Sequence, residues 1–352
     1  MNTVIGLDIG GTNSRAAIAH VENDNLTPHP DFPGFISEKA MSKKELQGFI
    51  HSLMDNLGSA DQPVGVAIAL AGPVTHHREV SMTNWQEPKN ITLDEFIDWG
   101  FPVNRTVMVN DMEAGCHGLV KCLREDKTAS VYFEQLKGHH ASSREIPGGN
   151  CVFIAPGTGL GAAGIVEIKN ALEEVSIHPI AVELQNTPMP LLQETHRTVS
   201  AWLQQEQHIA HPSWEDFVSG RGLVNAYRAL RSGISTNEPD VTSGVADPAA
   251  AVAKAGVMGD DTARQALSVF YTCAGYFCQL MALGFQAFGG VFIGGTSTIK
   301  NRDFIKNSTL VDAFLDNPVQ KSLLTRFPIY LINESDLNLE GTLRLGLDAS
   351  KR

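Results

Sequence analysis

Along the first twenty residues the apolar positions form two short β-branched runs, 4–9 and 14–20, separated by Gly10-Gly11-Thr12-Asn13. Two such runs joined by a glycine turn predict a hairpin. The period then changes. Leu46, Phe49, Ile50, Leu53, Met54 and Leu57 recur at helical spacing, and Ser42 with Glu45 supplies a capping box at their start. Residues 64–70 are continuously apolar, as in a buried strand, and stop at Gly72-Pro73. Residues 106–109 predict another strand, which runs straight into Asn110-Asp111 and a helical segment through Leu123.

The stretch 137–150 is polar and glycine-rich and reads as a loop or insertion. Beyond it the opening pattern returns: a run at 151–155, then Pro156-Gly157-Thr158-Gly159-Leu160-Gly161, then an alternating segment to 168. Residues 233–248, rich in Gly, Ser, Asn, Asp and Pro, predict a surface loop. Helical periodicity from 263 to 288 is expected to stop at Gly289-Gly290. A strand at 291–293, Gly294-Gly295-Thr296, a last strand at 327–332 and a helix from about 339 complete the chain. Strands alternating with helices define an α/β protein, and the repeated hairpin turn suggests two related lobes.

Composition narrows the function. The 352 residues suit about two domains. A net charge of −12 with no basic block argues against nucleic acid or an anionic membrane as partner. It does not argue against a nucleotide, because glycine loops hold phosphate with backbone N–H groups. The 32 glycines exceed the usual ~7% and point to backbone lying close to a ligand. Five scattered cysteines without a C-x-x-C pair favour neither a disulfide scaffold nor a structural zinc. The N-terminus lacks a basic region followed by an apolar one, so no signal peptide is expected. The apolar stretches 64–74 and 280–293 are too short or too broken to span a bilayer, and the expected compartment is the cytoplasm.

Three glycine clusters and one Asn-Asp pair carry the candidate chemistry. Asp8 ends a buried strand, with the amides of Gly10, Gly11, Thr12 and Asn13 beyond it. That arrangement suits a Mg-bound polyphosphate, and equally an ordinary turn capped by Asp8. Gly157, Thr158 and Gly159 form a second such loop. The formal G-x-G-x-x-G at Gly159, Gly161 and Gly164 is followed by strand-like Ile165-Val166-Glu167-Ile168, so the dinucleotide fingerprint fails on context. Gly294-Gly295 would let a flat ring lie against backbone, or would simply turn a strand into a helix. Asn110-Asp111 sits where a strand meets a helix, the usual place for active residues in open α/β sheets and also for a helix cap. A carboxylate there can take a proton from a hydroxyl attacking phosphorus. His76-His77 and His139-His140 complete no metal spacing and read as solvated loops, while Cys273 and Cys278 read as core.

Six segments in order give a resemblance: LDIGGTNSR (7–15), SMTNW (81–85), VNDMEAG (109–115), APGTGLG (155–161), SWEDFVSGRGLVNAYRAL (213–230) and FGGVFIGG (288–295). They resemble bacterial glucokinases, of the hexokinase, actin and heat-shock-ATPase superfamily, nearly collinearly from residue 5 to 347. The resemblance implies a two-lobed actin-like ATPase (ribonuclease H-like) fold with a central cleft. A small domain would comprise 1–110 with about 338–352, and a large one 111–337. The implied activity is ATP-dependent phosphorylation of glucose at its primary hydroxyl, feeding glycolysis, with ATP and Mg²⁺, in a homodimer. Asp111 would be the catalytic base, and Asn110 and Glu215 sugar ligands, with Thr83 and Asn84 nearby. Asp8, Gly10, Gly11, Thr12, Asn13, Gly157, Thr158 and Gly159 would hold phosphate, Gly294 and Gly295 adenosine, and Asp8 the Mg²⁺ through water.

One motif departs. The family's E-G-G-H, in which Glu and His bind sugar hydroxyls, is matched here by Glu183-Leu184-Gln185-Asn186, with Asn186 in place of His. A second register sets Ile180 and Glu183 there instead. Either change leaves open another hexose or an amino sugar as substrate, or a catalytically weak sugar- or nucleotide-sensing homologue.

Overall fold

The opening hairpin forms as the pattern predicts. Thr3–Ile9 pairs antiparallel with Asn13–Glu22, placing Asp8 opposite Arg15 and Ile9 opposite Ser14. The structure, a computed structural model, describes every residue except Met1, Thr12, 59–60, Asn84, 86–87, 126–130, 137–145, Glu173, 234–238 and Ser335. The expectations placed on Thr12, Asn84, His139 and His140 therefore lie outside the described residues.

The chain forms two compact units, Met1–Glu125 with Asp336–Arg352, and Asp126–Ser335. In the first, the sheet runs Asn25–Pro28, Asn13–Glu22, Thr3–Ile9, Pro63–Leu70, Thr106–Asn110, the last three strands being parallel. Their faces are buried by Leu46, Phe49, Ile50, Leu53 and Leu57 of the helix Lys43–Leu57, the stripe read from the sequence. Met54 packs against that core partly exposed. The Ser42 hydroxyl accepts from Glu45 N–H, but the Glu45 carboxylate reaches back to the N–H of Met41 rather than of Ser42. A reciprocal capping box stands instead at Thr92 and Glu95, opening Leu93–Asp98.

The second unit repeats the plan. Its sheet runs Val175–Ala181, Leu160–Lys169, Cys151–Pro156, Gly290–Ile293, Ile329–Ile332, Phe133–Gln135. As in the first unit, the leading hairpin strand is flanked by its antiparallel return and by a parallel neighbour. The repeated glycine hairpin is thus a repeated sheet topology. The helix Asp261–Phe285 crosses the core, with Phe277, Cys273 and Cys278 fully buried. Burial raises both thiols, Cys278 to about 12, as core cysteines require. Among the described helices this one is long and apolar enough to cross a membrane, yet most of it is buried inside the protein.

Two boundaries differ from the sequence reading. The long helix stops at Phe285, three residues short of 288, because Gln286 takes a left-handed turn (φ 49°) and its N–H caps the carbonyls of Ala282 and Leu283. The helix Asp111–Glu125, expected to open the large domain, packs with Leu337–Ser350 inside the first unit.

Candidate active site

In the first unit the site residues gather at the carboxyl ends of the three parallel strands, where an open α/β sheet exposes backbone. Ile9 accepts from Ala71 N–H, and Ala71 accepts from Thr83 N–H (2.9 Å). Asn110 ends its strand paired with Leu70, and its amide donates to the Gly72 carbonyl at 3.0 Å. Asp111 is the first residue of its helix. The N–H of Met112 is shared between Asn110 Oδ1 and Asp111 Oδ1, both at 2.9 Å. The Asn-Asp pair therefore caps a helix and stands at a strand end at once.

Asp8 is 7% exposed and closely held. Its Oδ2 accepts from Arg15 at 2.5 Å and its Oδ1 from Asn338 at 3.3 Å, while Arg15 also bridges to Asp336. Burial works against the Arg15 charge, but Asp8 and then Asp336 outweigh it and raise its pKa. Sequence reasoning linked Asp8 neither to Asn338 nor, through Arg15, to Asp336, because both are more than three hundred residues away. The turn beside it closes through Gly10 N–H to the Asn13 carbonyl at 3.0 Å, with the Trp85 indole donating to the Gly10 carbonyl.

In the second unit Glu215 is a junction. Its carboxylate accepts from Leu160 N–H at 3.1 Å, just past the second glycine loop, and a side chain at Gly159 would collide with it. Its own N–H donates to the Gln185 carbonyl at 3.1 Å. Glu183 lies beside it. Its Oε2 accepts from Gln185 Nε2 (2.9 Å) and Asn186 Nδ2 (2.8 Å). Burial raises the Glu183 pKa, the Asn186 hydrogen bond lowers it, and the Glu215 charge raises it again, for a net rise. The structure thus brings Glu183, Asn186, Glu215 and Gly159 together in one cluster. Gln185 joins it, 7% exposed, and sequence reasoning missed it because the family motif carries glycine at that place.

The loop Gly157–Gly159 folds over its own bond, Gly157 N–H to the Gly159 carbonyl at 2.8 Å, and Gly157 accepts from Gly220 at the start of Gly220–Ser232. It opens on a cavity of about 1010 Å³ lined by Gly157, Thr158, Ala250, Lys300 and Asn301 among others. Gly294 and Gly295 do not line it. A side chain at Gly294 would meet the Phe153 ring, and Gly295 holds the turn at φ 92° with its next helix tied by Ser297 Oγ to the Pro156 carbonyl. The turn places Ser297, Lys300 and Asn301 on the cavity wall. This wall could have been read only from the residues following the glycines.

Known proteins resemble this chain over nearly its whole length. The family model described as Glucokinase matches residues 5–347. A glucokinase of Mesorhizobium japonicum is 29% identical over 328 residues, 92% of this chain and 86% of that protein. The crystal structure of a glucokinase from Balamuthia mandrillaris in complex with glucose superposes with a TM-score of 0.83 at 22% identity, covering 98% of this chain and 93% of the other. A ROK family glucokinase from Streptomyces griseus in complex with glucose and AMPPNP superposes with a TM-score of 0.64 at 17% identity, over 99% and 100%.

Proposed function

The chain belongs to the glucokinase family, and from that premise we propose that it transfers the γ-phosphoryl group of ATP to the primary hydroxyl of glucose. The observation that carries the reading is Asp111, at a strand-to-helix junction beside Asn110, within a family match spanning nearly the whole chain. Asp111 takes the proton of the sugar hydroxyl as its oxygen attacks the γ-phosphorus. The bond from that phosphorus to the bridging oxygen breaks, and ADP leaves. Amides of the loops at Gly10-Gly11 and Gly157–Gly159 stabilise the charge on the transferring group. Asn110, Glu183, Asn186 and Glu215 orient the sugar, with Thr83 nearby. The altered E-G-G-H segment retains a carboxylate and an amide, so glucose stays the expected hexose and sensing without turnover is not favoured.

The ATP analogue in the Streptomyces griseus structure supports ATP as donor. The cavity beside Thr158 is roomy enough for its adenosine. For Mg²⁺ the donor chemistry fits. Among the described residues each oxygen of Asp8 has one partner, which leaves a lone pair able to accept a metal-bound water. Bound there, Mg²⁺ would neutralise charge on the transferring phosphates. A cytoplasmic homodimer remains part of the proposal.

A coupled assay with glucose and ATP tests it. Asp111→Ala is expected to lower kcat by at least ~10²-fold while nucleotide affinity stays within about threefold. Near-normal turnover in that variant would remove Asp111 as the base.

A further inference from the structure

Two imidazole nitrogens in the first unit are buried without a hydrogen-bond partner among the described residues: Nε2 of His20 and Nε2 of His29. The two rings meet edge to face, 4.4 Å between centroids, and His29 is 3% exposed. Asp61 approaches both. Its Oδ1 is 3.9 Å from His20 Nε2 and its Oδ2 is 3.7 Å from His29 Nε2. These separations are too long for hydrogen bonds. They are close to the ~3.4 Å that separates two donors on one tetrahedral ion with bonds of ~2.0–2.1 Å. All three ligand atoms lie within 4.8 Å of one another.

The sheet explains the convergence. His20 lies on Asn13–Glu22, His29 just beyond Asn25–Pro28, and Asp61 just before Pro63–Leu70. Thr3 pairs with both His20 and Pro63, and its hydroxyl too is buried and without a partner among the described residues. Polar atoms without partners thus collect at one end of the hairpin, six residues or about 20 Å along the strand from the glycine turn.

We propose that His20, His29 and Asp61 bind one divalent transition-metal ion, with zinc the best match. Two imidazoles and a carboxylate suit zinc over magnesium, and three protein ligands leave the fourth position to water. Ligation at His29 Nε2 puts the ring proton on Nδ1, so the contact from Asp31 N–H to that atom (3.2 Å) is given up on binding. The ion ties three chain segments at the end of the sheet away from Asp8 and Asp111, so its role is to brace the first unit. The site does not depend on the kinase reading. The sequence predicts no structural zinc, because it holds no C-x-x-C pair.

The test is metal uptake by the full chain after chelation and dialysis. Cobalt, whose visible absorption reports its coordination, is expected to bind at about one ion per chain and to be displaced by zinc. Zinc, but not magnesium, is expected to raise the thermal midpoint by a few degrees. His20→Gln and His29→Gln should lose the cobalt spectrum, and His76→Gln with His77→Gln should keep it. Should the histidine variants misfold, Asp61→Asn, at a partly exposed side chain, carries the test with at least a tenfold loss of affinity. Absence of a cobalt spectrum, uptake undiminished in Asp61→Asn, or loss in the His76/His77 variant overturns the assignment.

Discussion

Glu183 shows how much a single side chain depends on its neighbours. Its carboxyl titrates above its ordinary range through burial and the nearby Glu215, against the opposing hydrogen bond from Asn186. A carboxylate accepts sugar hydroxyls in its charged form. The KM for glucose is therefore expected to rise as pH falls through that raised value, beginning above the pH of an ordinary carboxylate. Gln185 donates to the charged form from a buried position, and its backbone also holds Glu215. Gln185→Ala should move this acid limb to higher pH and raise the neutral-pH KM by about 3–10-fold, one lost hydrogen bond to a charge, with kcat nearly unchanged. A pH profile of KM superimposable on the parent's would show that the amide does not hold Glu183. Glu183 was legible because a motif drew attention to it. Gln185 was not, because its role comes from packing against Glu215, thirty residues on.

At the scale of elements, the strands were legible wherever β-branched runs met glycine, and the stripe from Leu46 to Leu57 fixed its helix directly. What the pattern hid was contact between distant helices. Asp111–Glu125 and Leu337–Ser350 pack backbone to backbone: a side chain at Gly341 would enter the Ala114 carbonyl, and one at Gly118 the Leu337 carbonyl. Neither glycine belongs to the three clusters that drew attention in the sequence, since their need for no side chain arises only when the two helices meet. Gly341→Ala is expected to destabilise the protein by about 2 kcal/mol through overpacking, read as a lower urea midpoint. Gly48→Ala is the contrast. Gly48 is exposed in Lys43–Leu57 with no heavy atom within 4 Å of an added Cβ, so alanine should stabilise by about 0.5–1 kcal/mol. Equal effects from the two substitutions would refute the close approach.

The whole molecule carries a charge of −12, which should repel a polyphosphate at long range. Its nucleotide-sized cavity is lined otherwise. Arg221, Arg228, Lys254 and Lys300 face it, against the single acidic residue Asp247. Arg221 is engaged by Glu215 and Asp216, which leaves the exposed Arg228 and the two exposed lysines to set the local field. The two influences predict opposite responses to salt. Raising ionic strength from ~0.1 M to ~1 M shortens the screening length from ~10 Å to ~3 Å. If these cations govern, screening removes an attraction and the KM for ATP rises several-fold. If the net charge governs, screening removes a repulsion and the KM falls. Because short-range charges inside a concave wall are felt before the distant average, we expect the rise. Lys254→Gln with Lys300→Gln should then raise the low-salt KM for ATP and flatten its salt dependence, while the KM for glucose and kcat change less than about twofold. A KM for ATP that falls with added salt in the parent, or a double variant with the parent's slope, would return control to the overall charge.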